Sequence, residues 1–192
     1  MSSTKRNVLG VLVDAVDYDG AIDRIVESAE AGTSLTVSAL AVHGVMTGVM
    51  DSMHRYRLNH LDLVVPDGQP VRHALNWLHG AGLKDRVTGP ILMVKLCKVA
   101  AERGIPIFLY GSKPEVLAAL QARLKARFPK LIIAGAEPSK FRPLSPEEKA
   151  ETVERIKATG AKITFVGLGC PRQEGWVYEY GEVLPMPMLA VG

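Results

Sequence analysis

The sequence predicts an α/β fold: a Rossmann-like, mostly parallel sheet with helices on both faces. Short apolar runs that end in Gly, Pro or Asp turns alternate along the chain with segments of helical periodicity. Two Ser-x-x-Glu sequences, at Ser112–Glu115 and Ser145–Glu148, match the capping box that starts helices. With 192 residues, 47% of them apolar, the chain is long enough for a single domain with a sizeable core, and we expect one domain over residues 1–192.

The first half of the chain contains three predicted strands. A strand over Asn7–Val13 precedes a helix that begins at Asp19, and a strand over Leu35–Leu40 precedes two short helices. The third strand is the buried run Leu61–Val65, which Pro66-Asp67-Gly68 ends before a helix that reaches His79-Gly80. The two short helices are predicted around 45–50 and 52–59.

The second half repeats the alternation. Strands are predicted over 105–110, 131–134, 162–167 and 188–191, with helices over 91–101, from Ser112 to Phe128, from Ser145 to Gly160 and over 172–180. Residues 81–89 and 137–144 are predicted loops. For the strand at 188–191 two interpretations stay open: it lies at an edge of the sheet, or the natural chain is longer.

Composition and charge exclude several function classes. The net charge is +3 and the basic residues are scattered, which argues against nucleic acid as a partner but suits a phosphate-bearing ligand. The two cysteines, Cys97 and Cys170, form no disulfide framework or zinc motif and indicate a reducing, cytoplasmic setting. We find no signal peptide and no apolar run of membrane-spanning length.

Four turns follow predicted strands and are expected along one edge of the sheet. They are Ser38-Ala39, Pro66-Asp67-Gly68, Gly111-Ser112-Lys113 and the stretch from Gly167 to Gln173. Two are glycine turns that lead into helix N-termini, where backbone N–H groups favour anions, although the glycines could serve chain reversal alone. Asp67 is either an acid that faces a ligand at this edge of the sheet or only a cap for the helix that follows it.

Other motifs are missing or ambiguous. No P-loop is present, and Gly167-x-Gly169 lacks the third glycine of a dinucleotide fingerprint. The five histidines are dispersed, so no metal site is predicted. Cys170 lies just before a helix start, a position that can make a thiol reactive. No base is close to it in sequence, so its expected role is that of a small packed side chain. Gln173 and Glu174 begin a predicted helix, and two interpretations are open. Either the Gln173 amide points at a ligand, or the pair only starts the helix, with the Glu174 carboxylate stabilised by the helix dipole.

Four linked motifs give the chain a resemblance to the WecG/TagA/CpsF glycosyltransferases (glycosyltransferase family 26). The motifs are Leu63-Val-Val-Pro-Asp-Gly-Gln-Pro70, Asp85-Arg-Val-Thr-Gly-Pro90, Phe108-Leu-Tyr-Gly-Ser-Lys-Pro-Glu115 and Phe165-Val-Gly-Leu-Gly-Cys-Pro-Arg-Gln-Glu174. The resemblance implies an inverting enzyme, without metal or other cofactor, that transfers an N-acetylmannosamine-type sugar or related hexose from a UDP donor. The implied acceptor is a polyprenyl-diphosphate-linked saccharide at the inner face of the cytoplasmic membrane, for cell-wall or other surface polysaccharides.

The resemblance also assigns roles to residues. Asp67 is implied as the general base, and Thr36, Arg86 and Gln173 match pocket positions that orient donor or acceptor. The nucleotide site is implied around the glycine turns, with Phe141 near the uracil. The expected substrate-binding residues are Ser38, Gly68, Gly111, Ser112, Phe141, Gly167, Gly169 and Pro171.

The sequence departs from the family pattern at two places. Ser38 stands where the family usually has asparagine, two residues after the threonine. The family also continues past Val191-Gly192 with a Phe-Asp-rich loop and a basic appendage that reaches the membrane. We therefore expect this chain to be shortened, to bind UDP-sugars weakly and to transfer poorly. A homo-oligomer is left open, and the alternative functions are a nicotinamide-dependent oxidoreductase and a non-catalytic nucleotide-binding domain.

Overall fold

A six-stranded parallel sheet forms the centre of the computed structural model, which describes residues 5–192. Its strands are β3 (Leu35–Leu40), β4 (Leu63–Pro66), β5 (Ile107–Gly111), β6 (Ile133–Glu137), β7 (Ile163–Gly167) and β8 (Pro187–Ala190). They lie in the order β4-β3-β8-β7-β5-β6. The predicted α/β class with a parallel sheet is confirmed.

Helices cover both faces of the sheet. The described helices are α1 (Tyr18–Ala31), α2 (Val42–Met50), α3 (Ser52–Asn59), α4 (Gln69–His79), α5 (Gly89–Arg103), α6 (Pro114–Arg127), α7 (Pro146–Ala158) and α8 (Arg172–Tyr180). One buried cluster joins α1, α5 and α6 to the sheet, and a second joins α3, α4, α7 and α8 to its other face. Within residues 5–192, no helix is both long and apolar enough to cross a bilayer.

The predicted first strand is wrong, because the segment 7–13 is folded back on itself. Strands β1 (Lys5–Val8) and β2 (Val11–Asp14) pair antiparallel as a separate two-stranded sheet. Leu9 and Gly10 form the turn with φ of 55° and 89°. Asn7 stabilises it, because its side-chain oxygen accepts a hydrogen bond from the Gly10 N–H at 2.7 Å.

The last strand is central rather than peripheral. Strand β8 pairs with β3 through Thr36 and Met188 and with β7 through Phe165 and Leu189. Of the two interpretations left open for this strand, the edge position is therefore wrong, and β4 and β6 are the edges instead. Because β8 is covered on both faces, its run Met188–Ala190 is fully apolar and carries no alternation.

Two further expectations are corrected at helix and strand starts. Ser112 does not cap α6: it has a positive φ of 65°, Lys113 is the N-cap, and no side chain caps that helix. Strand β6 begins at Ile133 rather than at residue 131. The capping box at Ser145 is confirmed, with the Ser145 hydroxyl accepting from the Glu148 N–H and the Glu148 carboxylate accepting from the Ser145 N–H.

Candidate functional site

The carboxyl ends of the parallel strands form one edge, where four chain segments meet. The register aligns Leu40 with Pro66 and Gly111 with Gly167. The turns after β4, β5 and β7 therefore lie on the same edge, as predicted. Ser38 does not belong to that edge, because it lies two residues inside β3, opposite Val64 and Ala190.

Asp67 follows the last residue of β4 and is held by two neighbouring segments. Its N–H donates to the Leu40 carbonyl at 3.1 Å. Its Oδ2 accepts from the N–H of Gly89, the first residue of α5, at 3.2 Å. The following helix α4 instead begins after Gly68, whose φ of 86° suits glycine, and no side chain caps it. The acid thus caps a helix distant in sequence rather than its own.

Arg86 lies beside the Asp67 turn. The N–H of the next residue, Val87, donates to the Pro66 carbonyl at 2.9 Å, which holds the segment before α5 against the end of β4. The Arg86 side chain is exposed. The structure therefore brings Asp67 and Arg86 to the same corner of the sheet edge, with the guanidinium reaching into solvent.

The two glycine turns pack against each other at the ends of β5 and β7. Gly111 has a φ of 104°, and a Cβ at that position would lie 2.6 Å from the Gly167 carbonyl oxygen. Close approach of the two backbones therefore requires glycine at position 111. Ser112, with its own positive φ, accepts a hydrogen bond at its carbonyl from the Ser139 N–H at 3.1 Å, which brings the loop after β6 over the turns.

These turns line a cavity of about 430 Å³, within the size range of small-ligand sites. Its backbone lining includes Gly111, Ser112, Gly167 and Gly169, and its apolar lining comes from α5, α6 and the strand ends. Pro90, the residue after Gly89, also lines it. The Asp67 carboxylate therefore anchors a helix whose first turn forms one wall of the cavity.

Phe141 lies at the boundary between this cavity and a second one. Both cavities include its ring, which is 49% exposed. The second cavity measures about 410 Å³ and has Pro171 and several cations in its lining, namely Arg57, Lys140, Arg142, Lys149 and Arg172. The Arg172 guanidinium lies 5.8 Å from the centre of the Phe141 ring, within cation–π range. An aromatic surface flanked by cations suits a planar, anionic ligand.

The chain matches a known family over nearly its whole length. The model of the Glycosyl transferase WecG/TagA/CpsF family covers residues 6–192. The chain belongs to this glycosyltransferase family. Membership implies a glycosyltransferase of cell-surface polysaccharide synthesis, with a nucleotide-sugar donor and a lipid-linked acceptor in general terms.

Within this glycosyltransferase, Gln173 turns its carboxamide inward. Its Oε1 accepts from the Gly169 N–H at 3.1 Å, and its Nε2 donates to the buried Glu174 carboxylate at 3.2 Å. The Ser38 hydroxyl donates to the same carboxylate oxygen at 3.3 Å. Gln173 thus stabilises the glycine turn that lines the cavity.

Thr36 is placed away from both cavities and from the strand end that carries Asp67. It is the second residue of β3, near the amino end of the strand, whereas Asp67 follows the carboxyl end of β4. Its hydroxyl donates to the Asp62 carboxylate at 2.7 Å and accepts from the Asp62 N–H at 2.9 Å. The structure does not bring Thr36 to the cavity.

Several residues of the site had no sequence signal of function. Glu148 binds both Lys140 and Arg142, at 2.7 and 2.6 Å, and these cations lower the pKa of its carboxyl. The capping-box motif predicted the helix start but not this anchoring of the loop beside Phe141. His54 and Glu174 are also buried close to Cys170. This cluster could not be recognised from the sequence, because His54 is distant from the other two residues along the chain.

Proposed function

We propose that this glycosyltransferase moves a sugar, of the N-acetylmannosamine type or a related hexose, from a UDP donor to a polyprenyl-diphosphate-linked saccharide, with inversion at the anomeric carbon. The observation that carries the proposal is the glycine-turn cavity of about 430 Å³ at the carboxyl edge of the sheet, one wall of which is the start of the helix that Asp67 caps. Open α/β sheets bind their ligands at this edge. The family supplies the reaction class.

The donor nucleotide is assigned to this cavity. The uracil would contact the Phe141 ring, which is half-exposed and so free to contact a base. The diphosphate would lie against the turns at Gly111 and Gly169, where the backbone approaches without side chains. Arg172 and Arg86, both exposed at this edge, supply positive charge for the departing UDP without a metal ion in the transfer step.

Asp67 is assigned as the general base. Its Oδ2 is occupied by the Gly89 N–H, and within residues 5–192 its Oδ1 accepts no hydrogen bond. In the transfer, the acceptor hydroxyl gives its proton to this carboxylate while its oxygen bonds to the anomeric carbon. The bond from that carbon to the UDP phosphate oxygen breaks from the opposite face, so one displacement inverts the centre.

The other predicted residues receive supporting roles. Gln173 and Ser38 stabilise the turn through Glu174, while Gly68 and Pro171 shape the edge. We assign Thr36 to the stability of β3 rather than to the pocket, because its hydroxyl and N–H both contact Asp62. The lipid-linked acceptor places the reaction at the inner face of the cytoplasmic membrane, where the enzyme would be peripheral.

A thermal-shift screen tests the donor assignment. A ligand that binds only the folded state stabilises it by about 2.7 kcal/mol at a hundredfold excess over its Kd. We expect UDP and UDP-N-acetylmannosamine to raise the Tm, and NAD to leave it unchanged. A rise with NAD alone would favour the oxidoreductase alternative, and no response to any nucleotide would contradict the donor assignment.

A further inference from the structure

Three metal-ligating side chains meet beneath the glycine turn that precedes α8. His54 comes from α3, Cys170 from the turn, and Glu174 from the first turn of α8. One donor atom of each lies within 4.8 Å of the others. His54 and Glu174 are each 1% exposed, and Cys170 is half-buried.

Three polar atoms of this cluster have no nitrogen or oxygen partner within the described chain. Neither ring nitrogen of His54 has a hydrogen bond within the described chain, and Glu174 Oε2 has none either. Its other oxygen, Oε1, accepts from Ser38 and Gln173. A buried polar group without a partner costs about 1–3 kcal/mol, so three such atoms in one cluster indicate that something else satisfies them.

Pairing inside the cluster leaves the His54 ring unaccounted for. The Cys170 thiol hydrogen-bonds to the side chains of Glu174 and Thr47, but neither ring nitrogen of His54 has a partner among the described residues. No ion pair within 4.0 Å joins His54 to Glu174 among the described residues, so the imidazole and the carboxylate are not in salt-bridge contact.

We propose that His54, Cys170 and Glu174 bind a Zn²⁺ ion. Nitrogen, sulfur and carboxylate oxygen are the donors that zinc takes, at roughly 2.0–2.3 Å in tetrahedral geometry. Donors around such an ion are roughly 3.3–3.8 Å apart by this geometry, so a cluster spanning 4.8 Å or less closes on it through side-chain adjustments. His54 lines the 410 Å³ cavity, through which water can reach the fourth position.

The ion would connect α3 to the turn before α8. Cys170 lies between Gly169, which lines the glycine-turn cavity, and Pro171, which lines the second cavity. A bound cation therefore stabilises the wall between the two cavities and replaces the proton of the Cys170 thiol. The proposed ion takes no part in the proton transfer assigned to Asp67, which is not one of its ligands.

Metal titration of the chelator-treated chain tests the site. We expect Zn²⁺ to raise the Tm by several degrees and to saturate at one equivalent, with no such effect of Mg²⁺. Co²⁺ at one equivalent should give the thiolate-to-metal charge-transfer band of a cysteine ligand. Absence of that band in the wild type, or a Tm that Zn²⁺ leaves unchanged, overturns the proposal.

Matched cysteine variants locate the ion. Cys170→Ser should lose the Co²⁺ band and bind Zn²⁺ at least tenfold more weakly, whereas Cys97→Ala, in the buried core of α5, should keep both. Glu174→Gln should weaken Zn²⁺ binding while the Co²⁺ band persists at higher metal concentration. If Cys170→Ser keeps the band, the ion binds elsewhere and the proposal is wrong.

Discussion

The Asp67 carboxylate and the Gly89 N–H are joined by a 3.2 Å hydrogen bond that connects the end of β4 to the start of α5. Gly89 also packs on the residue that follows the last strand, since a Cβ there would lie 2.6 Å from the Val191 carbonyl oxygen. The next residue, Pro90, lines the glycine-turn cavity. One acid therefore has two separable effects, helix capping through Oδ2 and the proposed base function through Oδ1.

Replacing Asp67 by alanine tests the capping effect. The change removes the acceptor for the Gly89 N–H, and loss of a helix cap costs about 1 kcal/mol. Urea unfolding should show that loss for Asp67→Ala. Asp67→Asn keeps an oxygen acceptor, and because Asn and Asp cap helices about equally well, its free energy of unfolding should stay within about a few tenths of a kcal/mol of wild type. Equal stability of the alanine variant and the wild type would contradict the cap.

A glycine pair tests the close approach of the two turns. In Gly111→Ala the new Cβ would meet the Gly167 carbonyl, and φ is 104°, so we expect a loss of about 1–3 kcal/mol and much weaker UDP binding. Gly167→Ala is the matched control for stability alone, because nothing lies within 4 Å of its Cβ position, although the residue lines the cavity. Calorimetric titration with UDP and urea unfolding measure both effects. Similar behaviour of the two variants would contradict the packing.

Phe141→Ala tests the base-contact assignment. Half of the ring is exposed, so its removal should barely change stability. UDP affinity should fall about 2- to 12-fold, through loss of stacking worth roughly 0.5–1.5 kcal/mol. Trp77→Ala, which removes an 82% exposed ring from α4, should leave UDP affinity unchanged. Unaltered UDP affinity in Phe141→Ala would place the base elsewhere.

Thr36→Val tests whether that residue is structural. The variant keeps the shape but leaves the Asp62 N–H without its hydroxyl acceptor, and we expect a loss of about 1–3 kcal/mol in urea. The UDP Kd should not change, because Thr36 does not line the cavity. Weaker UDP binding with intact stability would return Thr36 to the site.

Acid titration tests the anchoring of the loop beside Phe141. Lys140 and Arg142 hold the pKa of Glu148 below its ordinary value of 4.5. A depressed folded-state pKa contributes stability above the unfolded value, and that contribution is lost as pH falls through the folded-state pKa. The wild type should therefore exceed Glu148→Gln in stability at neutral pH, with the difference shrinking below about pH 4.5. A constant difference would contradict the ion pairs.

The sequence predicted those parts of the fold that local pattern determines. The alternation of β-branched runs with capped helices indicated the parallel sheet, and Ser145–Glu148 indicated the start of α7. The hairpin at Leu9-Gly10 was missed because the apolar run continues through the turn. The central position of β8 was missed because strand order depends on tertiary pairing, which the local sequence does not encode.

The candidate site could be predicted only in part. The family motifs placed Asp67 and the glycine turns at one sheet edge, and strand register brings them there. The partners of Asp67 and Glu174 could not be predicted, because Gly89 and Ser38 are distant in sequence and meet only in the folded chain. For the same reason His54 gave no sign that it would pack beside Cys170.

Sugar transfer by Asp67→Asn, measured with UDP affinity on the same samples, tests the central claim most directly. The variant retains an oxygen acceptor for Gly89 but cannot accept the proton of the acceptor hydroxyl. We expect the transfer rate to fall by about 10²–10⁴-fold, the usual contribution of a general base, while the UDP Kd and the Tm stay close to wild type. Transfer at the wild-type rate would contradict the assignment of Asp67 as the base.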